Sequence, residues 1–253
     1  MISDLKSVAR DRVSCGSPSP LLGDACGLEV AAVQSTGSDM GVGGDFVDII
    51  ALGGGRVALV VGDICGRGLP AYRQVLHIQP RLRRLLMECD CPGRALSELN
   101  SQFDADQRRG LIPDGQFVCI SVVVTDPLND TISTAVAGTE APVLLVSGIE
   151  PRFIPAGGPL VGVDSGAGYE TVTTSFFRHD LLNLFSDGMT DARRDGQFLE
   201  LGGFVHIVQQ VVSESESPLS VAQIAARIFE RVRVFAGGRI HDDASLLIAR
   251  RTS

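Results

Sequence analysis

Four short acidic motifs, spread over almost the whole chain, limit what it can fold into. They are Gly43-Gly44-Asp45, Gly62-Asp63-Ile64-Cys65-Gly66, Ser186-Asp187-Gly188 and His241-Asp242-Asp243. Each sets an aspartate beside a glycine or at the edge of an apolar run, and three fall where a β-strand should end. Aspartates this distant meet only if the fold gathers strand ends at one point. Several bare carboxylates together repel one another. What gains from such a cluster is a hard divalent cation that prefers oxygen ligands, Mg2+ or Mn2+.

The pattern between the motifs is consistent with gathered strand ends. Residues 28–34 read as a strand, and 45–52 and 56–62 flank Gly53-Gly54-Gly55, which supplies the positive φ of a tight hairpin turn. Val57-Ala58-Leu59-Val60-Val61 is continuously apolar, the mark of a strand buried on both faces. Val75, Leu76, Ile78, Leu82, Leu85 and Leu86 then recur at helical spacing over 71–88, where Pro80 is expected to kink or interrupt the helix. A second helix follows over 93–107. Strands return at 117–125, 131–137, 143–146, 171–176 and 181–185. Helices are expected at 201–213 and 219–235, and a last strand at 244–249. Residues 1–27, rich in Ser, Pro, Gly and Cys, read as a loosely ordered lead-in to a single domain over 28–253. Antiparallel runs with grouped helices indicate an α+β fold, an antiparallel β-sandwich flanked by helices in α-β-β-α layers.

Composition narrows the function. The chain has 253 residues, 44% of them hydrophobic, enough for a substantial core. A net charge of −8 without a basic stripe argues against a nucleic-acid partner and against attraction to anionic membranes. No apolar run approaches the roughly 20 residues needed to cross a bilayer. The six cysteines lack CxxC spacing and the four histidines are scattered, so a zinc site is not indicated; reduced thiols in a cytoplasmic protein are expected. No glycine-rich loop ending in Gly-Lys-Ser/Thr is present, which leaves a P-loop NTPase unsupported.

Four carboxylates balance the charge of two divalent cations. In two-metal hydrolytic sites such ions stand about 3.5–4 Å apart and acidify a shared water, which then attacks phosphorus in line. Each motif also has a plainer reading. Gly44-Asp45 fits a turn at a strand start, Ser186-Asp187-Gly188 a helix N-cap or turn, and Asp242-Asp243 a solvated pair entering the last strand. Gly62-Asp63 is the stronger signal, because a charge at the end of a buried strand needs a partner.

The flanks of these aspartates resemble the bacterial metal-dependent protein serine/threonine phosphatases of the PPM family, in their SpoIIE/RsbU-type branch. The matching stretches are Gly41 to Ile49, Val57 to Ala71, Ala137 to Val146, Gly157 to Val163, Leu184 to Arg193 and His241 to Arg250. The resemblance implies hydrolysis of phosphoserine or phosphothreonine on a partner protein by a water activated between two Mn2+ or Mg2+ ions. It implies Asp45, Asp63, the Ile64 backbone carbonyl, Asp187 and Asp242 as metal ligands, with Asp191 and Asp243 as neighbours of the site; helix capping is the other reading of Asp191. The substrate it implies is a phosphorylated anti-sigma-factor antagonist with a STAS fold, with a regulatory protein as a further partner. Two departures stand out. Cys65 occupies the position of a histidine in the animal branch, and Thr139 follows Ala137-Gly138 where this branch commonly has histidine. They leave open a second reading, a regulatory pseudophosphatase that binds its partner with little turnover.

Overall fold

The computed structural model describes residues 21–25, 27–37, 41–89, 91–147, 150–214 and 218–252. In chain order the elements are β1 (Leu21–Ala25), β2 (Leu28–Ser35), β3 (Asp45–Ala51), β4 (Val57–Ile64), α1 (Gly68–Glu88), α2 (Pro92–Arg108), β5 (Val118–Asp126) and β6 (Thr131–Ala137). They continue as β7 (Val143–Val146), β8 (Glu150–Phe153), β9 (Val172–Ser175), β10 (Leu181–Phe185), α3 (Asp187–Thr190), β11 (Arg193–Arg194), β12 (Gln197–Phe198), α4 (Glu200–Ser213), α5 (Val221–Phe235) and β13 (Ala244–Arg251). The chain is α+β and its sheets are antiparallel, as the order of periods indicates. The described residues form two compact units.

One unit comprises Val42–Pro142 and Phe153–Phe176. Its sheet runs β3-β4-β5-β6-β9, with β3 at an edge. Period-2 alternation assigns the faces. Ala58, Val60 and Ile64 of β4, with Ile120, Val122 and Val124 of β5, pack in one cluster with Val75, Ile78 and Leu82 of α1 and Leu96, Leu99 and Phe103 of α2. The opposite face carries Val57, Leu59, Val61 and Val123, all buried. That is why β4 reads as one apolar run. Phe46 stands opposite Gly62 and its ring lies where a Cβ on Gly62 would be, 2.3 Å from the nearest ring carbon. The glycine before Asp63 is therefore required by an aromatic neighbour.

Pro80 does not interrupt α1, which is helical from Gly68 to Glu88. A proline inside a helix forfeits a hydrogen bond and costs about 3 kcal/mol. Pro80 is exposed, while Ile78, Leu82, Leu85 and Leu86 around it are buried and contribute roughly 1.5–3 kcal/mol each.

The other unit comprises the described residues of Met1–Gly41, Val143–Arg152 and Phe177–Ser253. Its sheet runs β1-β2-β13-β10-β7-β8. β2 and β13 pair over their full lengths, with Val33 opposite Leu246 and Ala31 opposite Ile248. These four side chains pack with Phe204 and Val208 of α4 and Ile224, Ile228 and Val232 of α5. Ser220 caps α5 reciprocally with Gln223, and Glu29 of β2 accepts the Val221 N–H at 2.8 Å. Residues 21–25, within the stretch read as a lead-in, form β1 and pair with β2 from Leu21 opposite Ala32 to Ala25 opposite Leu28. That pairing is a backbone ladder, which side-chain periodicity does not announce. Residues 1–20 of the expected lead-in lie outside the described residues.

Candidate metal centre

Asp45 is the first residue of β3, and Asp63 is the residue before the last of β4. The two are direct partners in the ladder, so both side chains leave the same face of the sheet. Directly opposed residues have Cβ atoms about 4.5–5.5 Å apart, and like charges so placed destabilise the pairing. Gly44 makes this end compact. Ile64 N–H donates to the Gly44 carbonyl at 3.1 Å. A Cβ on Gly44 would lie 2.3 Å from the Ile64 carbonyl oxygen and 2.9 Å from Asp63 Oδ1. The carbonyl and the carboxylate therefore crowd the same small space beside Gly44. Cys65, next in the chain, is half-buried, and its N–H donates to the Phe117 carbonyl at 3.1 Å.

The second acidic group is built on β10, α3 and the start of β13. Ser186 follows the buried strand β10 and stands at the N-cap of α3. Its N–H donates to the Ser245 carbonyl at 3.0 Å, and its Oγ accepts the Ser245 N–H at 2.9 Å. Asp187 then opens the single turn α3, and the Asp191 N–H closes it on the Asp187 carbonyl at 2.6 Å. Asp191 ends that turn, and its charge acts on Asp187. Gly188 is pressed onto the backbone of the last motif; a Cβ there would lie 1.9 Å from the Asp243 carbonyl oxygen. This close approach brings Asp187 beside Asp242 and Asp243.

Asp242 is exposed, and its Oδ1 accepts the Asp243 N–H at 3.0 Å. The Asp243 side chain is only 7% exposed. Its Oδ1 accepts the Gly37 N–H at 2.9 Å, which ties the residues after β2 to the His241-Asp242-Asp243 segment. Asp187 reaches solvent, yet its carboxyl is pushed above the usual carboxylate range. The surrounding protein desolvates it, and Asp191, Asp242 and Asp243 add like charge. A positive ion relieves all three of these repulsions.

The aspartates thus fall into two sets, Asp45 with Asp63 in one unit and Asp187, Asp191, Asp242 and Asp243 in the other. Among the described residues, no three His, Cys, Asp or Glu side chains form a group that could hold a metal ion. None of the four described cysteines, 65, 89, 91 and 119, is in a disulfide. No helix among the described residues is long and apolar enough to cross a membrane.

Residues 53–252 match the family of Stage II sporulation protein E (SpoIIE). The chain belongs to the SpoIIE family. It is 21% identical over 197 residues to phosphoserine phosphatase RsbU of Bacillus subtilis (strain 168), covering 77% of this chain and 56% of RsbU, so it spans about half the length of that relative. The PP2C phosphatase domain of SpoIIE from Bacillus subtilis, solved with a fragment of its regulatory domain, superposes with a TM-score of 0.73 at 17% identity. That match covers 88% of this chain and 61% of the solved one. RsbX in complex with magnesium superposes with a TM-score of 0.64 at 11% identity, over 92% of this chain and 99% of RsbX. The fold of the SpoIIE-family chain is therefore that of the PP2C phosphatases.

Sequence reasoning did not give a role to Asp48, three residues after the first motif. The signal was present: Phe46, Asp48 and Ile50 alternate on one face of β3, and a charge on an apolar face calls for a partner.

Proposed function

We propose that this chain is a divalent-metal-dependent protein serine/threonine phosphatase. The observation that carries the reading is the opposition of Asp45 and Asp63 at the end of one ladder, which sets two carboxylates side by side where a cation can draw on both. Asp45, Asp63 and the Ile64 carbonyl are the proposed ligands on β3 and β4, and Asp187 and Asp242 those beside α3. The donor set is all oxygen and mostly anionic, which suits Mg2+ or Mn2+. When bound, two such ions polarise phosphoryl oxygens and make water a stronger nucleophile.

The chain's own part is to keep these carboxylates ionised and in place. Gly44 lets the Ile64 carbonyl and Asp63 approach its backbone, and Gly188 lets α3 sit on the Asp243–Ala244 backbone. Asp243, held by the Gly37 N–H, fixes the segment that presents Asp242. Asp191 adds negative charge next to Asp187 and so raises the attraction for a cation.

The proposed substrate is a phosphorylated anti-sigma-factor antagonist of the STAS fold. Membership of the SpoIIE family and similarity to RsbU support that choice. A regulatory protein partner belongs to the same reading. Leu69, Leu76 and Met87 are exposed along one face of α1, the surface proposed to meet it.

The test is hydrolysis of a phosphorylated STAS protein and of p-nitrophenyl phosphate, with and without Mn2+, beside Asp63→Ala and Asp187→Ala. Mn2+-dependent turnover that both variants abolish is the expected result. Tight binding of the STAS protein without turnover at any Mn2+ concentration would instead identify a pseudophosphatase.

A further inference from the structure

β3 is an edge strand, so its backbone is held by a ladder on one side only, through β4. Its last pair is Asp45–Asp63, where two like charges oppose each other, and the bond from Ile64 N–H to the Gly44 carbonyl at 3.1 Å lies just beyond it. Strand ends fray first, and repulsion at this rung acts in the same direction. The position of Asp45 therefore depends on that closing bond and on what else holds β3.

The second hold comes from α1. Arg83 grips Asp48 with both arms of its guanidinium: Nε donates to Oδ2 at 3.0 Å, and Nη2 donates to Oδ1. Asp48 is 6% exposed, so this contact is shielded from water on the carboxylate side. Four residues earlier on the same helix, Gln79 Nε2 donates to the Val47 carbonyl at 3.3 Å. Two consecutive residues of β3 are thus clamped from one face of α1. Asp48 lies three positions from Asp45 and so leaves the opposite face of the strand. It cannot join Asp45 at the acidic pair; it can only hold the strand that carries it.

We infer that Arg83 is a positioning residue, which fixes β3 through Asp48 and thereby holds Asp45 in register opposite Asp63. This rests on the reading of Asp45 and Asp63 as cation-holding residues. A point charge such as lysine cannot reproduce the two-armed contact, so the geometry requires arginine rather than any cation.

The experiment uses the full chain with Arg83→Gln, Arg83→Lys and Asp48→Asn, and two readouts besides turnover. Amide hydrogen exchange is followed in metal-free protein, and Mn2+ binding by calorimetry. For Arg83→Gln, exchange at Phe46 and Asp48, whose N–H groups face β4, is expected to rise about tenfold while Ile120 to Val124 of β5 keep their protection. Mn2+ affinity is expected to fall about tenfold, the low end of what losing a group that orients a metal ligand costs. Turnover of p-nitrophenyl phosphate at saturating Mn2+ should stay within about twofold of wild type. Arg83→Lys should fall between the two, and Asp48→Asn should match Arg83→Gln. Exchange that rises evenly across both strands, or Mn2+ affinity that does not move, overturns the positioning role. Wild-type protein that takes up no Mn2+ overturns the cation site, while the exchange of β3 still decides whether Arg83 holds the strand.

Discussion

Asp45 and Asp63 face each other across the last rung between β3 and β4. Like charges at such a rung repel one another, and the sign of their effect on stability can be measured. Asp45→Asn removes one of the two charges and keeps the shape. In EDTA the variant should be more stable than wild type by about 0.2–1 kcal/mol. In Mn2+ the order should reverse, because a ligand at a hundred times its Kd adds about 2.7 kcal/mol to the protein that binds it. Thermal melts in both buffers check this. A variant less stable than wild type in EDTA would mean that Asp45 has a stabilising role in the metal-free fold.

Gly188 and Gly202 make opposite demands on an added methyl group. At Gly188 a Cβ would lie 1.9 Å from the Asp243 carbonyl oxygen and 3.0 Å from the Ala244 Cα, both backbone atoms. Gly188→Ala must push α3 off β13, and overpacking of that kind costs about 1–3 kcal/mol. At Gly202, inside α4, a Cβ meets nothing within 4 Å. Gly202→Ala should add about 0.5–1 kcal/mol by restricting the unfolded chain and favouring helix. Urea unfolding of both variants decides the pair. Equal shifts in the same direction would refute the packing argument at Gly188.

Much of the fold was legible in the sequence because burial on one face leaves a period. The apolar run of β4, the helical spacing of α1 and the glycine hairpin at residues 53–55 all correspond to elements near the expected bounds. Short elements without a period were not. The β11–β12 hairpin escaped notice although Asp195-Gly196 carries its signal: both residues have positive φ, as the favoured two-residue hairpin turn requires. β1 and β8 are edge strands of their sheet, and β8 shows no buried alternation. At the candidate site, the aspartates could be named from their flanks. Their surroundings could not, because the crowding of Gly44, Gly188 and Asp243 depends on which backbone atoms come close in the fold. Asp180 illustrates the same limit: it is buried, and accepts the N–H groups of Ser147 and Phe177 at 2.8 and 2.7 Å, with no sequence spacing to announce it.

Ser220 provides a test of stability remote from the aspartates. Its Oγ accepts the Gln223 N–H at 3.2 Å, and Gln223 Oε1 accepts the Ser220 N–H at 3.0 Å. Ser220→Ala removes one half of this box and should cost about 1 kcal/mol. Activity at saturating Mn2+ should be unchanged, since the cap touches none of the proposed ligands. Lost turnover in a variant that still unfolds cooperatively would tie α5 to the chemistry.

Cys91 gives the pH-dependent prediction. The thiol is exposed at the start of α2, 3.3 Å from Thr171 Oγ1. Gly93 N–H donates to the same Oγ1 at 3.0 Å, and the threonine hydroxyl donates to the sulfur once the thiol is ionised. Burial pushes the thiol up, but the Thr171 hydrogen bond, the Arg94 and Gly93 N–H groups and the Arg94 charge together bring it below its ordinary value. A depressed value favours the thiolate in the folded state. The associated stability is complete above the unfolded-state value and is lost as pH falls through the lower folded one. Alkylation by iodoacetamide, followed at Cys91 by mass spectrometry, should therefore reach half its plateau rate at a lower pH in the folded protein than in the same protein unfolded in urea. Thr171→Val should move that midpoint upward, because it removes the hydrogen-bond donor and leaves the burial. A midpoint that does not move with Thr171→Val would show that the hydroxyl does not stabilise the thiolate.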